Sequence, residues 1–204
     1  MGHEHDAGLC RQLFVRMARE DPMSVQVFDG HPPVLFIFAG LPGSGKTTLA
    51  QALARRFGSA YVRIDTIEQA LRDCCGMPVQ TEGYALAFRV AADCLRVGTS
   101  VVADSCNPVA WSRRAWRDVA RETGARWVDI EVTCSDREQH RRRVETRMPT
   151  VSGLTLPTWA EVESREYQAW DENRIVIDTS AKSPTTCIEE LVARLNISPP
   201  TAST

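Results

Sequence analysis

The stretch FAGLPGSGKTTLA, residues 38–50, follows the apolar run VLFIF (34–38) and leads into a segment with helical spacing of apolar residues. Its glycines permit backbone conformations with positive φ and let backbone N–H groups approach an anion closely. Lys46 follows the last of these glycines directly. A glycine-rich turn between a strand and a helix N-terminus, beside a cation, is suited to binding phosphate because the helix dipole also favours an anion there.

This stretch fits the phosphate-loop pattern G-x-x-x-x-G-K-[ST] through Gly40, Gly45, Lys46 and Thr47. In that pattern the lysine reaches the β- and γ-phosphates of a nucleotide, and the threonine hydroxyl coordinates Mg²⁺. We expect the rest of the loop to contact the nucleotide as well, through Leu41, Pro42, Gly43, Ser44 and Thr48. The sequence therefore predicts a nucleotide-phosphate site with a magnesium ligand.

Short runs rich in β-branched residues alternate with segments of helical periodicity from Val34 onward. The predicted strands are VLFIF (34–38), AYVRI (60–64), TSVVA (99–103), RWVDIEV (126–132) and RIVI (174–177). Strands that are interleaved with helices form βαβ units, in which the sheet is parallel and covered on both faces. The sequence therefore predicts an α/β fold of the P-loop NTPase class, with a five-stranded parallel sheet and helices on both faces.

The chain divides into three segments by composition and pattern. Residues 32–197 carry the alternating strands and helices and are assigned to a single P-loop domain. Residues 1–31 form an extension, in which CRQLFVRMA has the spacing of a short amphipathic helix. Residues 198–204 are expected to be a disordered tail.

Composition excludes several classes of protein. A formal net charge of −2 argues against a broad basic surface for nucleic acid. No apolar run approaches the roughly 20 residues that a membrane span needs, and no signal-peptide pattern opens the sequence. The seven cysteines include no C-x-x-C pair, which favours buried reduced thiols and a cytoplasmic protein.

Two aspartates follow predicted strands at the edge where a doubly wound sheet binds its ligands. Asp104 follows SVVA, the arrangement that holds Mg²⁺ in P-loop proteins, although it could instead cap or turn the chain before Asn107-Pro108 opens the next helix. Asp65 follows YVRI and heads DTIE, in which Glu68 stands at the reciprocal position of a capping box. An aspartate here could also deprotonate an attacking hydroxyl, and the two roles of Asp65 are compatible.

An arginine-rich segment, SDREQHRRRVETRMP, has the signature of a helix that begins with Ser135 and Glu138 in capping-box register and ends before Pro149. Arg143 and Arg147 are four positions apart and are expected to share a face of that helix. A basic face of this kind is usually solvated. Its position after the fourth strand also matches the lid of nucleoside-monophosphate-kinase-like proteins, whose arginines neutralise the transferring phosphoryl group.

With these motifs placed, the chain resembles the small bacterial P-loop kinases called predicted kinases. These are related to zeta toxins, chloramphenicol phosphotransferase and the kinase domain of polynucleotide kinases. The resemblance covers about residues 34–195 and rests on GLPGSGKTTLA, RIDTI, VVADSCNP, RVETR and IDTS. The segment GLTLPTWAEVESREYQAWD (153–171) is also similar to one found among the predicted kinases.

The resemblance implies a kinase that transfers the γ-phosphoryl group of ATP to a hydroxyl, with catalytic residues Lys46, Asp65, Arg143 and Arg147. Lys46 and Thr47 would bind ATP with Mg²⁺, Asp104 would be the second magnesium ligand, and Asp65 would be the base. Asp178 would pass near the adenine as part of residues 178–181, mainly through its backbone.

One departure from the relatives bears on the acceptor. Polynucleotide kinases place an arginine three residues after the base, and this chain has Glu68 there. A neutral or cationic small acceptor is therefore favoured over nucleic acid. Residues 70–98 and 148–170 are expected to line the acceptor pocket, because they flank the second strand and the lid.

Four alternatives remain open from the sequence. Three are kinases: a polynucleotide 5′-hydroxyl kinase, a zeta-toxin-like sugar-nucleotide kinase and an antibiotic-inactivating phosphotransferase. The fourth is a non-catalytic NTP-binding regulator, although the sequence has no N-K-x-D motif for reading guanine.

Overall fold

The computed structural model describes residues 32–170, 172–195 and 197, so the expected extension (1–31) and the expected tail (198–204) lie outside it. The strands are β1 (Val34–Ala39), β2 (Ala60–Arg63), β3 (Val101–Asp104), β4 (Arg126–Thr133) and β5 (Ile175–Asp178). The helices are α1 (Lys46–Phe57), α2 (Ile64–Cys75), α3 (Glu82–Arg96), α4 (Ala110–Glu122), α5 (Arg137–Thr146), α6 (Trp159–Glu163) and α7 (Pro184–Leu195).

The five strands form one parallel sheet in the order β2-β3-β1-β4-β5. The central strand β1 is buried along its whole length, as expected for a parallel sheet covered on both faces. Each predicted strand is present within two residues of its expected bounds. The register pairs Phe38 with Asp104, so the end of β3 lies beside the start of the phosphate loop.

Alternation along β1 supplies two cores, because successive side chains of a strand point to opposite faces. Phe36 and Phe38 pack with α1 and α7 on one face. Leu35 and Ile37 pack with α3 and α4 on the other, against Trp116. Burial of each such large side chain contributes roughly 1.5–3 kcal/mol relative to exposure. The apolar faces of these helices are thus directed at the sheet.

No helix in the described part of the chain has the length and apolarity to cross a bilayer.

Two of the predicted helix caps are wrong. Helix α2 begins directly after β2, so its N-cap is the extended Arg63, and Asp65 lies inside the first turn, without the reciprocal bond to Glu68. Helix α5 is capped by Asp136, whose carboxylate accepts a hydrogen bond from Gln139 N at 2.9 Å. Ser135 instead bonds to Asp178 on the neighbouring strand. Both errors arise because the local sequence does not determine the residue at which each of these helices begins.

The predicted shared face of Arg143 and Arg147 is also wrong. Helix α5 ends at Thr146, and Arg147 has extended dihedrals, with φ −69° and ψ 144°. Pro149 explains this end, because a proline disfavours helical backbone at the residue before it and helices end at or before that point. The two guanidinium groups therefore start from different backbone geometries.

The cysteines are only partly as expected. Those that the structure describes are all free thiols, in agreement with the sequence. Their expected burial holds for Cys187, whereas Cys74 and Cys75 are exposed at the end of α2. Exposure of this pair follows from its position in the last turn of a helix that packs by its other face.

Candidate active site

The phosphate loop, residues 40–47, has a conformation that only glycine accommodates at two positions. Gly40 has φ +140°, and a Cβ there would lie 2.2 Å from the carbonyl oxygen of Val132. Gly43 has φ +84°, and a Cβ would lie 2.5 Å from Cγ2 of Val144 on α5. The loop is therefore packed closely between β4 and α5, and it leads directly into the N-terminus of α1, where backbone N–H groups favour an anion.

A cleft of about 900 Å³ opens over this loop. Most of the predicted nucleotide-binding residues line it: Leu41, Pro42, Gly43, Gly45, Lys46, Thr47 and Thr48. Gly40 and Ser44 are instead below the lining, and Ser44 is only 1% exposed. These two residues shape the loop from beneath.

Lys46 and Asp104 meet beneath the loop. The Lys46 ammonium lies 3.0 Å from Oδ1 of Asp104, and the Tyr61 hydroxyl donates to Oδ2 at 2.6 Å. Burial alone would raise the pKa of Asp104, but Lys46 and hydrogen bonds from Tyr61 and Thr47 outweigh it and lower that pKa. Burial would likewise lower the pKa of Lys46, and the Asp104 carboxylate reverses this and raises it. Both groups are thus held fully charged.

The same two elements bring together the predicted magnesium ligands, Thr47 and Asp104. Thr47 follows Lys46, which is paired with Asp104 at 3.0 Å, and the Thr47 hydroxyl is near enough to help lower the pKa of Asp104, so two oxygen ligands lie close together next to the phosphate loop. Mg²⁺ is commonly held by one or two such protein ligands, with phosphate oxygens and water completing its shell. The described residues offer no cluster of three or more His, Cys, Asp or Glu side chains for a metal, so the shell here would have to be completed in that way. The residues present fit the ion.

Asp65 projects from the first turn of α2 to the edge of the cleft. Arg63 donates to its Oδ2 at 3.2 Å, and the carboxylate side chain remains 43% exposed. Arg63 also lies 3.9 Å from Asp104 and donates to the Thr150 hydroxyl at 2.8 Å. The Arg63 guanidinium thus bonds to Asp65 and Thr150 and also approaches Asp104.

The two lid candidates differ in their surroundings. Arg143 donates to the hydroxyl of Thr179 at 2.7 Å and to its carbonyl at 3.0 Å, which fixes it beside the end of β5. Arg147 is half-buried, and its Nε has no hydrogen-bond partner in the described chain. Burial lowers the pKa of Arg147, and the nearby Arg63 and Arg165 add to that effect while Cys106 and Asp65 oppose it. Both arginines line the cleft.

Asp178 does not line the cleft, and instead it links the segments that follow β4 and β5. Its carboxylate accepts hydrogen bonds from the backbone N–H groups of Ser135 and Ser180, each at 3.0 Å, and from their hydroxyls. These bonds outweigh partial burial and lower the pKa of Asp178. The next residue, Thr179, lines the cleft, so the chain after β5 reaches the site one position later than expected.

A smaller pocket of about 220 Å³ adjoins the cleft. The two cavities share Asp65, Glu68, Cys106 and Arg165. The smaller pocket is completed by Ile64, Tyr84 and residues 108–112 apart from Ala110, with the rings of Tyr84 and Trp111 in edge contact at 5.8 Å.

Of the two segments expected to line an acceptor pocket, 148–170 contributes many residues to the two cavities, including Arg165, whereas 70–98 contributes only Arg72 and Tyr84. The sequence analysis did not single out Pro108, Val109, Trp111 and Ser112, nor Tyr61 and Arg63. For Tyr61 and Arg63 a signal existed, because they alternate with the buried Val62 along β2 and so point to the same side as each other.

Comparison with curated proteins finds no match. Among solved structures, an APS kinase from Mycobacterium tuberculosis in complex with AMPPNP and APS aligns at TM-score 0.60 and 19% identity, over 82% of this chain and 99% of that one. A sugar kinase from Janibacter sp. aligns at 0.57 and 22%, over 85% and 100%. A gluconokinase from Sinorhizobium meliloti aligns at 0.56 and 18%, over 81% and 94%.

These similarities show the fold: the parallel sheet and phosphate loop of this chain are those of P-loop kinases. The family is shown separately, from the sequence. The profile of the AAA domain family matches residues 35–165, which include the phosphate loop and both strand-end aspartates, and this chain therefore belongs to the AAA domain family.

Proposed function

We propose that this protein is an ATP-dependent kinase that transfers the γ-phosphoryl group to a hydroxyl of a small molecule. The observation that carries the proposal is the position of Asp65, which lies where the phosphate-loop cleft meets the smaller pocket. In the reaction the acceptor oxygen forms a bond to the γ-phosphorus. The bond from that phosphorus to the oxygen of the β-phosphate breaks, the electron pair leaves with ADP, and the hydroxyl proton passes to Asp65.

The donor side of the reaction follows from the cleft. Lys46 and the loop N–H groups would hold the β- and γ-phosphates, and Thr47 with Asp104 would hold Mg²⁺. The ion would neutralise charge that develops on the transferring group and on the leaving oxygen. Arg143 and Arg147 line the same cleft and would add positive charge there.

The smaller pocket suits a compact acceptor. Its volume is about 220 Å³, against about 900 Å³ for the cleft, which favours a small acceptor group over a whole nucleoside or a typical antibiotic. The rings of Tyr84 and Trp111, which meet edge-on, offer an apolar wall, and Ser112 adds a hydroxyl to the lining. The acceptor group that enters this pocket is therefore of the size of a monosaccharide or an amino alcohol.

Charge also restricts the acceptor. Asp65 and Glu68 both line the smaller pocket, and burial raises the pKa of Glu68 even though Arg72 opposes that effect. Arg72 donates to Glu68 at 3.3 Å, so its guanidinium is engaged within the protein. Two carboxylates against the single guanidinium of Arg165 in this lining disfavour an anionic acceptor. We therefore favour a neutral or cationic acceptor over an oligonucleotide end or a sugar nucleotide.

A screen for ADP release tests the proposal. The panel contains hydroxylated metabolites, nucleosides and antibiotics, together with three six-carbon compounds of similar size but different charge: D-glucosamine, D-glucose and D-gluconate. We expect stimulation by a small neutral or cationic compound, and loss of that stimulation in Asp65→Asn. Tight Mg·ATP binding without turnover on any member of the panel, or with water, would favour the non-catalytic regulator instead.

A further inference from the structure

Arg165, just after the end of α6, lines both the cleft and the smaller pocket. It shares this position with Asp65, Glu68 and Cys106, and is the only cation among these shared residues. The junction of the two cavities is where a γ-phosphoryl group held by the phosphate loop would meet a hydroxyl held in the smaller pocket. Arg165 therefore lines the junction where the bond between the acceptor oxygen and the γ-phosphorus would form.

The side chain of Arg165 is available for a ligand. Other cleft arginines are engaged by protein groups: Arg63 by Asp65, Arg72 by Glu68, and Arg143 by Thr179. Within the described residues, the hydrogen bonding of Arg165 is confined to its backbone N–H, which donates to Val162 O at 3.4 Å.

Arg147 lines the same cleft, and Arg165 is one of the charges that lower its pKa. Among the described residues neither guanidinium forms an ion pair with an Asp or Glu, although Asp65 and Glu68 line the same junction, so the two arginines can take an anion between them. A transferring phosphoryl group is such an anion.

The side chain of Arg165 is exposed, but the backbone on both sides of it is anchored to the rest of the domain. On the N-terminal side, α6 is docked on α5 through an ion pair between Glu163 and Arg137 and through ring contact of Trp159 with His140, at 5.2 Å between centroids. His140 Nε2 in turn lies 2.9 Å from the carbonyl oxygen of Pro42 in the phosphate loop. The position of α6 is thus tied to the loop itself.

On the C-terminal side, the segment 165–170 is anchored by Arg113 of α4. This guanidinium is fully buried and donates to the carbonyl oxygens of Gln168 at 2.6 Å and Ala169 at 3.1 Å. It also donates to Pro108 O, at 2.9 Å, and Pro108 O accepts from Gln168 N as well. The backbone at Arg165 therefore lies between two anchored points, which limits where its guanidinium can reach.

We propose that Arg165 is a catalytic residue that contacts the transferring phosphoryl group from the side of the acceptor pocket. The proposal rests on the kinase function above. A planar guanidinium can donate two hydrogen bonds to the equatorial oxygens, where charge is spread as the bond to ADP breaks. Asp65 and Glu68 beside it disfavour the alternative, in which Arg165 binds an anionic group of the acceptor.

The test uses Mg²⁺, ADP and aluminium fluoride as a probe of the transition state, with the full chain, so that no acceptor has to be known. Arg165→Ala is expected to weaken binding of this probe by about 100-fold or more, because one preorganised donor to a developing charge is worth that much. Affinity for Mg·ATP is expected to change little. Arg165→Lys is expected to recover only part of the loss, since an ammonium lacks the fork.

Arg142→Ala is the matched control, because Arg142 is an exposed arginine of α5 that does not line either cavity. Tight probe binding by the wild type with no loss in Arg165→Ala would overturn the role of Arg165 alone. An equal loss of probe and of Mg·ATP binding would also overturn it, in favour of ground-state binding. A wild-type protein that neither binds the probe more tightly than ADP nor hydrolyses ATP would refute the kinase function, and this role with it.

Discussion

Lys46 and Asp104, separated by 58 positions in the chain, form a buried 3.0 Å ion pair beneath the phosphate loop. They meet because β1 and β3 are parallel neighbours, with Phe38 in register with Asp104. Removing one partner of a buried pair leaves an uncompensated charge and typically costs about 3–5 kcal/mol. A variant at either position therefore changes both stability and ligand binding, and the two effects have to be measured separately.

Lys46→Ala is expected to lose most of the thermal stabilisation that Mg·ATP confers. For the wild type at 100 times its Kd, that stabilisation is roughly 2.7 kcal/mol. The measurement is the difference in Tm with and without Mg·ATP for each protein, which removes the effect of breaking the ion pair. If the ligand-dependent shift is unchanged in Lys46→Ala, the site assignment is wrong.

Asp65 and Asp104 are expected to separate by role. With an acceptor from the screen, Asp65→Asn should lower kcat by about 10²–10⁴-fold and leave ATP affinity nearly unchanged, because a base acts in the chemical step. Asp104→Asn should raise the Mg²⁺ concentration needed for half-maximal activity. Asp73→Asn is the control, since Asp73 is exposed on α2, is bound to Gln69, and does not line either cavity. Weaker ATP binding with surviving turnover in Asp65→Asn would reverse the two assignments.

Gly40→Ala and Gly58→Ala should differ sharply in stability although both glycines have positive φ. A Cβ at Gly40 would lie 2.2 Å from Val132 O, whereas nothing lies within 4 Å of one at Gly58. Gly58→Ala should cost about 1–2 kcal/mol from backbone strain alone. Gly40→Ala should cost about 3 kcal/mol or more, because overpacking adds to the strain. Equal losses of unfolding free energy in urea titrations would show that the loop can move away from β4.

Asp178→Asn should destabilise the fold in a pH-dependent way. The folded pKa of Asp178 is lowered, so its contribution is complete above the ordinary aspartate pKa of about 3.9 and is lost as the pH falls through the folded value. We expect a loss of about 1–2 kcal/mol at about pH 7 that shrinks towards about pH 3. Urea titrations of both proteins across this range give the measurement. A loss of the same size at about pH 7 and at about pH 3 would mean that the charge of the Asp178 carboxylate does not stabilise its contacts with Ser135 and Ser180.

Oligonucleotides are expected to fail as acceptors. A kinase for nucleic-acid ends must neutralise several phosphates, so its acceptor affinity would fall with salt at a log–log slope of roughly −0.7 per contact on single strands. This chain has a net charge of −2, and Glu68 is held by Arg72 beside the smaller pocket. The KM of the true acceptor should therefore change little between low and physiological salt. Robust labelling of a 5′-hydroxyl oligonucleotide that is lost with moderate salt and in Asp65→Asn would contradict this.

The features that the sequence determined by itself are those whose physics is local. Residues 40–47 are contiguous, so glycine spacing, the lysine and the following helix could be recognised together. Strand and helix periods are also local, and they sufficed for a five-stranded parallel sheet with helices on both faces. Asp104 could be placed at the loop because the carboxyl ends of parallel strands meet at one edge.

Only the tertiary structure decided which charged side chains reach the site. Asp178 was expected near the adenine mainly through its backbone, and its carboxylate is bound by the N–H groups of Ser135 and Ser180, which come from separate loops. Arg143 and Arg147 look equivalent, yet Thr179 engages only the first. The role proposed for Arg165 depends on Arg113, whose donors reach carbonyls 55 and 56 positions away. The partner of a long side chain depends on which distant segments pack beside it, and the periodicity of the local sequence does not predict this.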